Sequence, residues 1–385
     1  MQGRGGNGSS RRTSYISQFD GGGWSAATQR PGYCTVAIVM TIVLLVFALP
    51  TITLYGRASN NMQPSLISPA EVTGHPSDYR LLVIADLDTQ SRVGTDGKVY
   101  HSILQEGTLH RSADTGRYSV QWGGAHKLKS GHNEAGRGME LSELVEYNGR
   151  LYTFDDRTGI VFEVIKESSG DYHVAPKHVL GEGDGSVDKG MKIEWATVKD
   201  GELVCGSFGK EYTNAAGAVI STNNNWVVLV DAEGRQRRYD WTQHYQTMRE
   251  ATGTTFPGYM IHEAGNWAPA LRRWVFLPRR ISPDPYDDAE DERKGSNKML
   301  ILDEALSKVE VREVGTIMPE RGFSSFKFLP GTRDTVIVAL KSEERSADNS
   351  QNTYITVFDL EGRVLLEETE MPGLAKFEGL EVWTA

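Results

Sequence analysis

The stretch GRGMELSELVEYNGRLYTFDDRTG, residues 136–159, predicts a meander of antiparallel β-strands. Its apolar and polar residues alternate, and then comes Asn148-Gly149, the dipeptide most typical of a two-residue hairpin turn. A return strand and a second polar turn follow within the stretch, and an apolar third strand comes directly after it. The first strand carries Ser142 and Glu143, so oxygen-bearing side chains lie within an otherwise β-forming segment.

The same pattern continues over the rest of the chain, from about residue 78 onward. Short apolar segments separated by polar turns lie at residues 81–85, 203–205, 226–230, 274–277, 299–302, 335–340 and 354–358. Only residues 241–252 are typical of a helix, and that helix would be short. Short strands at close spacing predict an all-β fold, which could be a sandwich, a barrel or a propeller.

Composition excludes one class of function and one source of stability. The chain has 385 residues and a formal charge of −10, which argues against a nucleic-acid partner. Its two cysteines are Cys34, at the edge of an apolar segment, and Cys205, in a predicted strand. No intrachain disulfide is expected between them, so the fold must depend on its core or on a metal.

The N-terminal part of the chain predicts a membrane anchor. Residues 1–33 are rich in Gly, Ser and Arg and predict a disordered cytoplasmic tail. Residues 34–55 contain no charge over 22 positions, which is long enough to span a bilayer as a single N-terminal transmembrane helix. The arginines before them favour a cytoplasmic N-terminus, which is the type II orientation. A stem or linker over 56–77 would then lead to a luminal or extracellular domain over 78–385.

Oxygen-bearing side chains recur at a spacing that suggests repeated sheets. Glu143, Glu194, Glu263, Ser324 and Glu378 are separated by 51, 69, 61 and 54 residues. Each interval can hold one four-stranded blade of a β-propeller, and the innermost strand of every blade faces the central channel. Five such positions predict a five-bladed β-propeller with an oxygen-only site on its axis, which suits Ca²⁺ better than Zn²⁺. By periodicity alone, accidental spacing of scattered acids remains the alternative.

Nine segments, in order, resemble the soluble calcium-activated nucleotidase family of apyrases. They are residues 85–92, 136–159, 183–213, 256–267, 274–280, 287–297, 322–332, 338–344 and 377–382. The resemblance covers essentially all of 78–385. It implies a five-bladed propeller with central Ca²⁺, a type II anchored or released form, and hydrolysis of nucleoside di- and triphosphates.

The resemblance also implies the residues of the site. The Ca²⁺ ligands of the family fall on Ser142, Glu143, Glu194, Glu263, Ser324 and Glu378. Asp86 and Asp88 follow a predicted buried strand, at the mouth of the channel, and are the candidates for the general base that activates water. A role as turn caps is their structural alternative.

Cations near the matching segments are the candidates for phosphate binding. They are Arg137, Arg157, Lys192, Lys210, Arg279 and Lys327. For each of them an ion-paired or solvated charge is an equal alternative. Trp195 is a candidate for stacking on a nucleobase, with core packing as the alternative. The sequence contains no P-loop, GxSxG or HExxH motif, which favours direct attack by water.

The resulting prediction is a Ca²⁺-dependent nucleotidase in the lumen of the Golgi or endoplasmic reticulum, with UDP, GDP and also ADP or ATP as candidate substrates. The alternative is a non-catalytic, Ca²⁺-stabilised propeller that binds a protein or a glycan, and a Ca²⁺-dependent lactonase is a weaker third interpretation. The sequence leaves open the nucleotide preference, cleavage of the stem to give a secreted form, and assembly as a homodimer.

Overall fold

The structure is a computed structural model that describes residues 76–214, 216–345, 350–373 and 375–385. Within these ranges the chain forms five antiparallel sheets, which are the five blades of a propeller, and one two-stranded hairpin. The predicted five-bladed all-β fold is therefore confirmed. The predicted tail, the transmembrane segment 34–55 and nearly all of the stem lie outside the described residues. In the part that is described, no helix is both long and apolar enough to cross a membrane.

The strands of the N-terminal sheet are β1 (Asp78–Asp86), β2 (Arg92–Val93), β3 (Val99–Arg111) and β4 (Tyr118–Ser130). The next sheet contains β5 (Leu141–Tyr147), β6 (Arg150–Asp155), β7 (Ile160–Lys166) and β8 (Tyr172–Val179). The third contains β9 (Trp195–Lys199), β10 (Glu202–Gly206), β13 (Trp226–Val230) and β14 (Gln236–Asp240). The hairpin β11 (Tyr212–Thr213) and β12 (Val219–Ser221) is inserted within the third sheet's sequence.

The remaining sheets complete the ring. One contains β15 (Tyr259–Ala268), β16 (Arg273–Ser282), β17 (Lys298–Asp303) and β18 (Val309–Glu313). The next contains β19 (Arg321–Phe328), β20 (Val336–Arg345), β21 (Ser350–Asp359) and β22 (Val364–Glu370). The last strand is β23 (Lys376–Thr384), and the α-helices are α1 (Thr242–Thr252) and α2 (Asp288–Asp291). The first helix confirms the short helix predicted over 241–252.

The C-terminal strand closes the ring. β23 pairs with β1 in an antiparallel register that runs from Tyr79 opposite Thr384 to Asp86 opposite Lys376. It is therefore the inner strand of the blade whose other strands come from the start of the domain. The five inner strands β5, β9, β15, β19 and β23 then contact one another in that order around the axis. Closure in a ring leaves the outermost strands of the blades as the sheet edges.

The hydrophobic core is divided into five clusters, and each cluster lies between two adjacent blades. For example, Trp195 and Phe276 belong to the cluster between the third and fourth sheets, which also holds Tyr245 and Met248 of α1. The neighbouring residue of Trp195, Ala196, belongs to the cluster on the other face of the same sheet. Both faces of each blade are therefore buried, which explains why its middle strands are almost continuously apolar.

The inner strands approach one another so closely that one position requires glycine. A Cβ atom on Gly379 of β23 would lie 2.4 Å from Ile84 Cγ2 and 2.6 Å from the backbone carbonyl carbon of Glu143. The second contact is with backbone of the neighbouring inner strand, which cannot rotate away.

We predict that Gly379→Ala destabilises the domain by about 1–3 kcal/mol or more, because the added methyl group overpacks the contact between two inner strands. Gly124→Ala is the matched control, since its Cβ would meet only His126 Nε2, at an ordinary 3.7 Å. Urea unfolding followed by tryptophan fluorescence measures both changes. Equal midpoints for the two variants would contradict the close approach at Gly379.

Candidate active site

Three of the predicted acidic ligands converge on the propeller axis. Glu194 directly precedes β9, Glu263 lies in β15 and Glu378 lies in β23, so each comes from the inner strand of a different blade. One carboxylate oxygen of each lies within 4.8 Å of the others, and we call these three residues the axial triad. The spacing argument therefore correctly brought these three positions together.

The axial triad is paired with basic side chains. Lys192 Nζ lies 2.6 Å from Glu194 Oε1, and Arg279 Nη1 lies 2.6 Å from Glu378 Oε1 and also pairs with Glu263. Burial raises the pKa of Glu378 to about 7, against the opposing effect of nearby Lys376. Burial likewise raises the pKa of Glu194 well above its usual range. The carboxylates are thus incompletely compensated, and an oxygen-only donor set with unmet negative charge fits a hard cation such as Ca²⁺.

The other three predicted ligands lie nearby but have different contacts. Glu143 is fully buried, and its Oε1 accepts hydrogen bonds from the Leu144 amide at 2.8 Å and from Ser325 Oγ at 2.9 Å. The hydroxyl of Ser324 donates to the Phe377 carbonyl at 3.0 Å, and that of Ser142 donates to the carbonyl of Ile193. These hydroxyls link adjacent inner strands, and metal ligation by all three residues stays a prediction.

A cavity of about 400 Å³ adjoins the axial triad. Its lining includes all three glutamates, both predicted catalytic aspartates, and five of the six predicted phosphate-binding cations: Arg137, Arg157, Lys192, Lys210 and Arg279. Most of the proposed site therefore shares one space. In total, eight carboxylates and seven basic side chains line it.

The two aspartates of the ADLD motif have different environments. Asp86 is buried, its Oδ1 accepts a hydrogen bond from the Asp88 amide at 2.8 Å, and its Oδ2 lies 2.7 Å from Lys376 Nζ. Asp86 is thus both a turn cap and a member of the cavity wall, and burial raises its pKa well above the usual range. The side chain of Asp88 is about a third exposed, and its Oδ2 accepts a hydrogen bond from Gln351 at 2.9 Å. Asp88 is the aspartate that water can reach.

Several of the predicted cations are already ion-paired. Arg137 Nε lies 2.7 Å from Glu140 Oε1, and Arg157 Nη2 lies 2.8 Å from Glu134 Oε2. The ammonium group of Lys210 lies 4.1 Å from the ring centroid of Tyr286. Arg279 is surrounded by glutamates, which makes it a partner of the axial triad more than a free contact for a ligand.

The structure corrects two of the predicted substrate contacts. Trp195 is fully buried among Trp241 and Phe276, with ring centroids 5.7 and 5.2 Å away, and its indole N–H donates to the Ser207 carbonyl. Stacking on a bound base is excluded there, and the core-packing alternative holds. Lys327 is not among the residues that line the cavity. Its ammonium group lies 3.2 Å from Glu143 Oε1 and forms an ion pair with that buried carboxylate.

Arg280 lines the cavity, although the sequence pattern did not mark it as a candidate for phosphate binding. It is 2 % exposed, and its Nε and Nη1 have no hydrogen-bond partner among the described residues. The nearest carboxylate oxygen, Asp291 Oδ2, lies 3.7 Å from Nε. Consecutive strand residues normally point to opposite faces, so a regular strand would bring only one of two adjacent arginines to the cavity. A β-bulge, in which Ile261 pairs with Arg280 but His262 pairs with Pro278, brings both to the cavity.

Aromatic side chains do line the cavity, but at other positions than the predicted tryptophan. Phe208, Tyr212 and Tyr286 belong to its wall, and 38 % of Tyr286 is exposed. They come from the segment after β10, from the β11–β12 hairpin and from the loop before α2. No short-range signal in the sequence marks these three among the other aromatic residues.

Comparison with known proteins identifies sequence relatives of this chain. A family model described as Apyrase matches residues 87–383. Soluble calcium-activated nucleotidase 1 of Mus musculus is 44 % identical over 317 residues, which are 82 % of this chain and 76 % of the mouse protein. Apyrase of Cimex lectularius is 40 % identical over 329 residues, or 85 % of this chain and 88 % of that protein. Among solved structures, a Lactobacillus plantarum protein has a TM-score of 0.33 at 10 % identity, over 76 % of this chain and 73 % of that protein.

Proposed function

Because the chain belongs to the apyrase family, we propose that it hydrolyses nucleoside di- and triphosphates to release phosphate, in a reaction that depends on Ca²⁺. The observation that carries this proposal is the convergence of Glu194, Glu263 and Glu378 on the wall of a cavity that is also lined by cations. The cavity volume lies within the range of small-molecule sites. UDP and GDP are the proposed substrates, with ADP and ATP as further candidates.

The axial triad would hold the Ca²⁺, and Ser142, Glu143 and Ser324 complete the ligand set that the family resemblance implies. When bound there, Ca²⁺ supplies positive charge to phosphate oxygens and lowers the pKa of a bound water. The other functions in the proposed mechanism, which are phosphate binding and proton transfer, are assigned to side chains of this chain.

Arg280 is the strongest candidate for a phosphate contact. A buried guanidinium with unpaired donors is costly, and a phosphate oxygen would satisfy those donors. Lys210, Arg137 and Arg157 line the same cavity and would contribute charge at longer range. Tyr286 and Tyr212, at the wall, replace Trp195 as candidates for stacking on the base.

Asp88 is the proposed general base. Its partly exposed carboxylate faces the cavity and lies 3.1 Å from Lys376 Nζ and 3.3 Å from Arg137 Nη2. Asp86 is instead buried, accepts a backbone hydrogen bond and lies closer to Lys376 Nζ, at 2.7 Å. A base must reach the proton of the attacking water, which favours the carboxylate that solvent can reach.

We further propose that residues 34–55 anchor the full-length chain as a single-pass type II membrane protein, with the propeller in the Golgi or endoplasmic reticulum lumen. The support is the uncharged segment and the preceding arginines. Alkaline carbonate extraction of expressing cells tests it, and release of the full-length chain into the supernatant would reject it. The mass of protein recovered from the culture medium, measured by light scattering, tests both secretion after stem cleavage and assembly as a homodimer.

We predict that purified protein releases phosphate from UDP and GDP in Ca²⁺, that EGTA abolishes the release, and that Mg²⁺ does not restore it. The physical reason is that three carboxylates from different blades suit a large cation with flexible geometry. A colorimetric phosphate assay across UDP, GDP, ADP and ATP measures the rates. Release that persists in EGTA would reject the proposal, and Ca²⁺-dependent thermal stability without any release would favour the non-catalytic alternative.

Arg280→Met is expected to raise the KM for UDP by about 10-fold to 100-fold, since a charge-assisted hydrogen bond contributes about 1.5–3 kcal/mol. Arg235→Met is the matched control, because Arg235 is an exposed arginine paired with Asp231 outside the cavity. Thermal melting in Ca²⁺ verifies folding of both variants. An unchanged KM in a folded Arg280→Met protein would contradict the phosphate contact.

Asp88→Asn is expected to lower kcat by about 10²-fold to 10⁴-fold while Ca²⁺ binding persists, because removing a general base slows proton transfer without removing the axial triad. Asp96→Asn removes a more exposed carboxylate near the start of the domain and serves as its control. Steady-state rates with UDP, together with a Ca²⁺ titration, distinguish the two effects. A wild-type kcat in Asp88→Asn would contradict Asp88 as the general base and favour Asp86 in that role.

A further inference from the structure

We propose that Asp86, Glu140 and Asp156 form a second divalent-cation site beside the axial triad. We call these three residues the rim cluster. The role of this second ion rests on the proposed function. Binding of the ion, in contrast, can be measured without turnover. The ligand chemistry is that of a hard divalent cation, and Ca²⁺ is the one we assign.

The three carboxylates converge although they are far apart in the chain. One oxygen of each lies within 4.8 Å of the others. Asp86 ends β1, Glu140 directly precedes β5 and Asp156 directly follows β6, so three chain segments meet at one end of two blades. They are 3 %, 1 % and 7 % exposed, respectively. Burying three carboxylates together costs free energy unless positive charge accompanies them.

An unpartnered atom points to a ligand at this place. Asp156 Oδ2 pairs with Lys192, but Asp156 Oδ1 is buried and has no hydrogen-bond partner among the described residues. A carboxylate oxygen in this condition has lost its hydration without replacement. A cation shared with Asp86 and Glu140 would satisfy it directly.

The basic side chains around the rim cluster are shared with other acids. Lys192 also contacts Glu194 of the axial triad, at 2.6 Å. Lys376 contacts Asp86 at 2.7 Å and lies 3.5 Å from Glu378. These two ammonium groups are thus shared between the clusters, and Arg137, which binds both carboxylate oxygens of Glu140, is the one cation among the described residues that pairs with the rim cluster alone of the two clusters. The two sites lie against the same cavity.

The overall charge of the cavity supports two ions better than one. Its lining has eight carboxylates and seven basic groups, and Glu140 adds one more carboxylate behind Arg137. With all of these groups counted as ionised, a single divalent ion at the axial triad would only neutralise the wall. A nucleoside diphosphate brings several further negative charges, and a second divalent ion would offset part of them.

Ligand chemistry favours Ca²⁺ over Mg²⁺ at the rim cluster, where three carboxylates are held by different chain segments. Ca²⁺ accepts carboxylate oxygens at about 2.4 Å in flexible geometry. Mg²⁺ requires about 2.1 Å and near-ideal octahedral geometry. With three protein ligands, the remaining positions would be open to water and phosphate oxygens, as in two-metal phosphoryl-transfer sites. Asp86 would then be a ligand, which is consistent with Asp88 as the general base.

The test counts Ca²⁺ ions per chain on the metal-stripped, full-length protein in detergent, by equilibrium dialysis against radioactive Ca²⁺. It is done with and without the non-hydrolysable α,β-methylene analogue of UDP. We expect two ions per chain in the wild type with the analogue, and one in Glu140→Gln. Asp156→Asn, which keeps the size of the side chain, is the second variant should Glu140→Gln fail to fold. Glu263→Gln should also retain one ion, at the rim cluster.

Glu134→Gln is the matched control, since Glu134 lies on the same segment as Glu140, between β4 and β5, but pairs with Arg157 and is not part of the rim cluster. The Glu134→Gln protein should bind two ions. One ion per wild-type chain in the presence of the analogue, or two in a folded rim-cluster variant, would overturn the proposal. The count needs no turnover. Two ions without phosphate release would thus contradict the proposed function alone, and release with one ion would contradict the second site alone.

Discussion

Buried negative charge around the propeller axis is the constraint that organises this protein. Glu194, Glu263 and Glu378 are brought within 4.8 Å of one another by three different inner strands. Without compensation such a cluster would be strongly destabilising, because each carboxylate loses hydration and repels the others. Arg279 and Lys376 reduce this cost, yet burial still raises the pKa of Glu378 to about 7. The arrangement is suited to a cation, which removes the repulsion when it binds.

The ring fixes these charges in place. Five apolar clusters, one between each pair of adjacent blades, hold the inner strands together, and β23 closes the circle through its pairing with β1. At Gly379 the strands leave no space for a methyl group. A carboxylate on such a strand cannot move far to avoid its neighbours, so the fold provides the preorganisation that a metal or phosphate site needs.

Much of the fold and part of the site followed from residue patterns. Alternation and turn dipeptides predicted the strands, and the spacing of acids predicted five blades whose inner strands carry Glu194, Glu263 and Glu378 to one place. The position of Asp86 and Asp88 at the end of the first strand correctly predicted that they face the cavity. Trp195 and Lys327 were misjudged because residue type is compatible with both a site and a core, and only packing distinguishes them. Arg280 was missed because a bulge in β16 changes which side chains face inward.

Residue order along the chain was sufficient for the strands and the turns and suggested the number of blades, because these depend on periodicities of two residues and on repeats of one blade length. The family followed from the resemblance of nine segments in order. The partners of individual charges depend instead on segments that are distant in sequence. Lys376 meets Asp86 only because the last strand pairs with the first, and Asp156 approaches Glu140 and Asp86 only where two blades meet. Coulomb and desolvation energies change steeply over a few ångströms, so which acids form a cation site is set by the closed ring and not by residue order.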